Sequence, residues 1–170
     1  MRESVGTSWI MGLAVVFILI FSAYLTIILN YSKTFRVKNT VVSIIEKYEG
    51  FKSGNGNSMG IVNNYLLSSG YKQTGICPDG YYGATTLAGN NVDSEYEFIS
   101  GSSNKKYFYC IKKVSVYNST LADKPQKYYY RVILFTNNDL PVLGNVFTFT
   151  AQGRTIDLDN SYDTLFKIQY

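Results

Sequence analysis

SWIMGLAVVFILIFSAYLTIIL, residues 8–29, contains no charged side chain, and the reading of everything after it depends on what this stretch does. A helix of about 20 apolar residues crosses a hydrocarbon core about 30 Å thick. Trp9 through Leu29 meets that length. A cleaved secretory signal instead has an apolar region of about 7–15 residues that ends at a small-x-small site. Ser22-Ala23 lies inside the run, and the run's end, Leu29-Asn30-Tyr31-Ser32-Lys33, offers no small pair. The stretch reads as a retained anchor, with Trp9 and Tyr31 near the two membrane interfaces, where amphipathic rings settle. The alternative is the buried helix of a soluble protein.

Charge alone leaves the orientation open. Arg2 and Glu3 precede the run, whereas Lys33, Arg36 and Lys38 lie beyond it, so the positive-inside rule taken literally puts the C-terminal side in the cytoplasm. Long domains translocate largely regardless of charge, however. The chain has 170 residues, rich in Tyr, without histidine and with a net charge of +4. The remainder of the chain is long enough for one domain with a core of its own. Cys77 and Cys110 are the only cysteines: on a translocated domain they predict one disulfide, and in a cytoplasmic one two buried thiols. The expected organisation is an N-terminal segment and transmembrane helix over 1–32, then an extracytoplasmic α+β domain over 33–170. That makes a single-pass protein of the cell membrane.

The helix should not stop at the membrane. Val37, Val41, Ile44, Ile45 and Tyr48 form one stripe of a 3.6-residue period, with Lys38, Asn39, Glu46, Lys47 and Glu49 on the other faces and Gly50 just past the end. One helix over about residues 7–49 would be roughly 60 Å long. FKSGNGNSMG, 51–60, reads as a loop. Ser58 is placed to cap a short helix through Ser69, with Ile61, Tyr65 and Leu66 on one side and Gly70 as terminator. Residues 71–92 read as an irregular loop carrying Cys77.

From Asp93 the period becomes two. Phe108, Cys110, Val114 and Val116 share a parity that Lys112 interrupts; Phe147, Phe149 and Ala151 alternate with Thr148, Thr150 and Gln152. KYYYRVILF, 127–135, is apolar on both parities and suits a central strand, and TNNDLP, 136–141, reads as the turn after it. Further strands are expected at Arg154–Leu158 and Phe166–Tyr170. The architecture predicted is α+β: about five antiparallel strands packed on the outer half of a long N-terminal transmembrane helix.

Chemistry is scarce. With no histidine, no glycine-rich strand-to-helix turn and no metal-ligating cluster, the chain reads as a non-enzyme without cofactor or metal. Asp93, Glu95 and Glu97 alternate along a presumed strand as a solvated edge. Asp157, Asp159, Ser161 and Asp163 have the one-apart spacing of a calcium loop, but Tyr162 stands where an EF-hand has its glycine and Ile168 where it has the bidentate Glu. KKYFYCIKK (105–113) and KYYYR (127–131) interleave bases and aromatics as single-strand binders do, and equally as a half-buried sheet face does.

A very short N-terminus, an uninterrupted apolar helix running into an amphipathic one, and a small β-rich domain with one cysteine pair resemble the plan of type IV pilin-like proteins. RESVGTSWIMGLAVVFILIFSAYLTIILNYSKTFRVKNTVVSIIEKYEG, 2–50, looks most like the tight-adherence (TadE-like) pseudopilins. The resemblance implies a pilin-like fold, processing between Gly6 and Thr7, assembly with like subunits, and a structural role in a bacterial pilus, secretion or conjugation apparatus. Cleavage there would put Met11 in the fifth position, where the family carries Glu. Gly12, Ala14, Ser22 and Ala23 are the small residues that would let stems approach closely. The alternative is a membrane-tethered extracytoplasmic binding domain, whose ligand would be DNA or another polymer.

Overall fold

The computed structural model describes residues 2–52, 57–87, 96–101, 104–116, 127–140 and 144–159, without the side chains of 2–7, 137–140 and 144–148. Helix α1 runs unbroken from Arg2 to Lys47. Its 46 residues make a rod roughly 70 Å long. From Ser8 to Ser22 every side chain is exposed; Ala23, Thr26, Ile27 and Asn30 are then half-buried along one face. Thr34, Val37, Lys38, Val41 and Ile45 are buried, so the covered face continues at helical spacing up to the end of the helix.

That stripe differs from the expected one in four places. Ile44 and Tyr48 are only half-buried, Thr34 joins it, and Lys38 is buried where a solvated position was predicted. The reason is Gly153 on the sheet opposite. A Cβ there would lie 2.8 Å from Val42 Cγ2 and 3.1 Å from Lys38 Cδ, so the bare glycine lets the lysine stem lie flat against the sheet. The Lys38 ammonium then reaches out over the Phe35 ring, 3.9 Å from its centroid.

The end of α1 also departs from expectation by one residue. Gly50 N–H donates to Ile45 C=O and Glu49 N–H to Glu46 C=O, the paired bonds of a Schellman cap. In that cap the left-handed residue is Glu49, at φ 49°, and Gly50 follows it at φ 135°. Helix α2, Ser58–Ser68, ends in the same cap with glycine in the left-handed place, Gly70 at φ 66°. Its start corrects the sequence reading. Ser58 does not cap α2; its hydroxyl donates to Gly50 C=O and accepts from Lys52 N–H, so it ties the α2 start to the α1 end. The buried side of α2 is Met59, Val62, Asn63 and Leu66, with Ile61 and Tyr65 only half-covered.

Strands β1 (Tyr82–Ala84), β2 (Tyr96–Phe98), β3 (Tyr109–Val116), β4 (Lys127–Leu140), β5 (Gly144–Arg154) and β6 (Leu158–Asp159) form one sheet in the order β2-β1-β3-β4-β5. β6 pairs with the start of β4, and every pairing is antiparallel. The fold is thus α+β, a long apolar N-terminal helix with a small antiparallel sheet. Residues 82–84 are a strand rather than irregular loop. Thr136–Leu140 do not turn: they extend β4 against β5, with a register shift between Asn138 and Asp139. The strand expected at Phe166–Tyr170 lies outside the described residues.

Both faces of the sheet are covered. Tyr109, Ile111, Tyr130, Val132 and Leu134 face α1 and α2, with Phe51, Met59 and Leu66 among their neighbours. Cys110, Ile133 and Phe135 belong to a second cluster with Cys77, Tyr81, Ile99 and Tyr107. This explains why KYYYRVILF is apolar on both parities: the segment of residues 75–81 lies over the side that the helices leave bare. The Cys77–Cys110 disulfide fastens that cover to β3.

Candidate functional site

Two surfaces stand out, the uncovered length of α1 and the basic side of the sheet. The first is the larger. α1 is the one helix among the described residues long and apolar enough to cross a membrane, and none of its most apolar 18-residue stretch is buried against the rest of the chain. Trp9, Ile10, Met11, Leu13, Phe17 and Leu29 all stand free. The core helix of a soluble protein would be mostly covered at such positions. Leaving this much contiguous apolar surface in water is unfavourable at about 25 cal/mol per Å², so it needs lipid or protein around it.

The four small residues are distributed over this rod. A rotation of 100° per residue puts Gly12 and Ala23, eleven apart, on nearly one line, Ala14 about opposite it, and Ser22 between the two, about 80° from both Gly12 and Ala14. Nothing lies within 4 Å of where a Gly12 Cβ would be. Ser22 donates its hydroxyl to Leu19 C=O, and Thr26 likewise to Ser22 C=O, so these polar groups are satisfied inside the helix. Ala23 is half-buried by the chain's own fold. Gly6 and Thr7 lie within helical backbone; their side chains are outside the described residues.

The basic surface comes from the β3–β4–β5 register. Lys112 pairs with Arg131, and Arg131 with Arg154, on the face that carries Cys110 and Ile133. KKYFYCIKK and KYYYR are thereby brought together, and Arg154, which composition did not single out, completes the row. Arg154 lies over the Tyr129 ring at 3.9 Å, and Arg131 donates to the Tyr129 hydroxyl at 3.2 Å. That hydrogen bond holds the Arg131 guanidinium even more firmly protonated than usual. Lys112 lies 5.5 Å from the centroid of Tyr81. Tyr129 and Tyr81 are buried, so neither ring is open for a base to stack on. Two of the charges are also matched: Arg154 meets Asp157 at 2.6 Å and Lys127 meets Asp159 at 3.8 Å.

The acidic motifs take structural places. Asp157 and Asp159 make those ion pairs, and Asp159 sits in β6, so this part of DLDNSYD is paired backbone; Ser161 and Asp163 lie outside the described residues. No group of three metal-ligating side chains occurs among the described residues. Glu97 is exposed on β2 and paired with Lys105, which holds its carboxyl below the ordinary range; Asp93 and Glu95 lie outside the described residues. Deeper in, the Asn63 side-chain oxygen accepts from Tyr109 at 3.0 Å and Tyr96 at 3.3 Å, a buried knot joining α2 to β2 and β3. The chain matches no family model, and comparison with curated proteins and with solved structures yields no significant match either.

Proposed function

We propose that this chain is a membrane-anchored, pilin-like structural subunit, non-enzymatic, whose N-terminal helix serves both as anchor and as the stem by which subunits assemble into a pilus or secretion apparatus. The observation that carries the reading is the division of α1. Its second half is built into the domain core through Val37, Val41 and Ile45, while the same unbroken helix carries the exposed side chains of Ser8 to Ser22 without cover from the rest of the chain. A tether needs only hydrophobicity. A stem needs a rigid rod fixed in direction relative to its domain, and the embedding of the rod's far end in a sheet provides that. The small residues fall on more than one side of the rod, Gly12 with Ala23 on one, Ala14 opposite and Ser22 between them, which suits a stem with neighbours on more than one side. In lipid, helices associate through close packing at small residues.

In this reading the sheet domain lies outside the cytoplasm, where the Cys77–Cys110 disulfide persists. Membrane and like subunits are the partners. The test is cross-linking of the full chain in native membranes, wild type against Gly12→Leu with Ala14→Leu. Oligomers that weaken in the double variant support the stem, since the variant is more apolar and cannot fail through lost anchoring. Monomers in both, at native abundance, would leave a tethered binding domain.

A further inference from the structure

We propose that the groove where α1 leaves its apolar run holds the phosphate of an anionic membrane lipid, an inference that rests on the membrane reading above. The groove measures about 310 Å³ and opens between α1 and α2, with Ser32, Lys33 and Arg36 as its polar wall, Leu29 and Val37 as its apolar floor, and Tyr65 facing them from α2. Residues 29, 32, 33 and 36 recur at helical spacing, so the cations and the floor share one face.

Charge favours this place over the basic sheet face. Arg154 and Lys127 are matched by carboxylates there, and Arg131 is turned to Tyr129. Lys33 and Arg36 have no carboxylate within ion-pair distance among the described residues. A guanidinium donates two parallel hydrogen bonds to phosphate, and an ammonium one turn away adds a second charge. Three carbonyls at the end of α2 are already satisfied within the chain. Tyr65 C=O accepts from Ser69 N–H and Ser68 Oγ, Leu66 C=O from Tyr71 N–H and Ser69 Oγ, and Leu67 C=O from Gly70 N–H.

Depth selects a lipid as the source of the phosphate. Lys33 to Arg36 lie about 6–10 Å beyond Leu29 along the helix. The headgroup layer extends about 5–8 Å beyond the hydrocarbon edge. Leu25, Ile28 and Leu29 are exposed below the groove, so an acyl chain can lie on them while its phosphate reaches the cations. Basic pockets at this level of a membrane helix are suited to anionic headgroups.

The experiment is native mass spectrometry of the full chain released from bilayers of mixed phosphatidylcholine and phosphatidylglycerol. Wild type should retain phosphatidylglycerol over phosphatidylcholine by about tenfold. Lys33→Gln with Arg36→Gln should abolish that preference, while Lys112→Gln with Arg131→Gln, of equal net charge, should keep it. Equal retention of both lipids, or equal loss in both variants, would overturn the assignment. So would an adduct of inorganic phosphate alone, offered to the detergent-held chain. Should the chain stay in the aqueous phase without detergent, the membrane reading fails with it; should it stay in the bilayer without headgroup preference, only the lipid site fails.

Discussion

The hydroxyl of Tyr71 serves both main-chain groups of Phe135, accepting from its N–H at 2.8 Å and donating to its carbonyl oxygen at 2.9 Å. β3 pairs with β4 only as far as Tyr109 opposite Leu134, and the phenol takes over at the next position. A side chain thus stands in for a strand. Burial pushes the phenol well above its ordinary range, against a smaller opposing effect of the Phe135 backbone bond.

Tyr71→Phe should therefore cost about 1–3 kcal/mol, because two buried backbone groups lose their partner. The pH dependence gives a second signature. A raised folded value means that the unfolded chain releases this proton first, near pH 10, so the contribution is whole below about pH 10 and declines as pH rises further. Melts of wild type should lose stability in that alkaline range more steeply than melts of the Phe variant. Parallel pH profiles would contradict the burial of the phenol.

Gly153→Ala should lower stability by about 1–3 kcal/mol, the range for overpacking a tight core. The added methyl would lie 2.8 Å from Val42 Cγ2 and 3.1 Å from Lys38 Cδ, so both side chains have to shift. Gly12→Ala is the control, since open space surrounds it. Denaturant midpoints of the two variants in one detergent should separate clearly.

Glu49→Gly should stabilise the chain by about 1 kcal/mol, because a side chain in the left-handed region is strained by about 1–2 kcal/mol and glycine is not. The Schellman bonds of Gly50 and Glu49 use only backbone, so the exchange keeps them. A fall in melting temperature would mean that the Glu49 carboxylate does something the cap does not require.

Replacing Cys77 and Cys110 together by Ser should cost about 3–4 kcal/mol for a closed loop of this length. The sequence separation is 33 residues. The loss should be felt first in the outer layer: hydrogen exchange at Tyr81 and Ile99 should rise before exchange at Val132 and Leu134 in the central strand.

The sequence made the long helix and the sheet legible because both announce themselves by period: an uncharged run, then a 3.6-residue stripe, then alternation. It misplaced what depends on a partner across space. Lys38 reads as a surface residue until Gly153 is set opposite it. Ser58 has the right spacing for a cap, but its hydroxyl is taken by Gly50 and Lys52, which no local pattern reveals. TNNDLP has turn composition, yet pairing with β5 keeps it extended. Of the surfaces, the apolar stem was plain in the residues. Arg154 joins Arg131 and Lys112 only through the strand register, and Leu29, Arg36 and Tyr65 meet only because α2 folds back on α1.

The central claim is that the bare half of α1 packs against other stems, and single-cysteine scanning measures this most directly. No cysteine occurs in residues 8–29, so one can be placed at each position in turn with the native pair intact. Copper-catalysed oxidation in native membranes should then join neighbouring subunits, with maxima on two opposed faces, one through Gly12 and Ala23 and one through Ala14. A flat, low yield at every position would contradict the stem and leave α1 as an anchor alone.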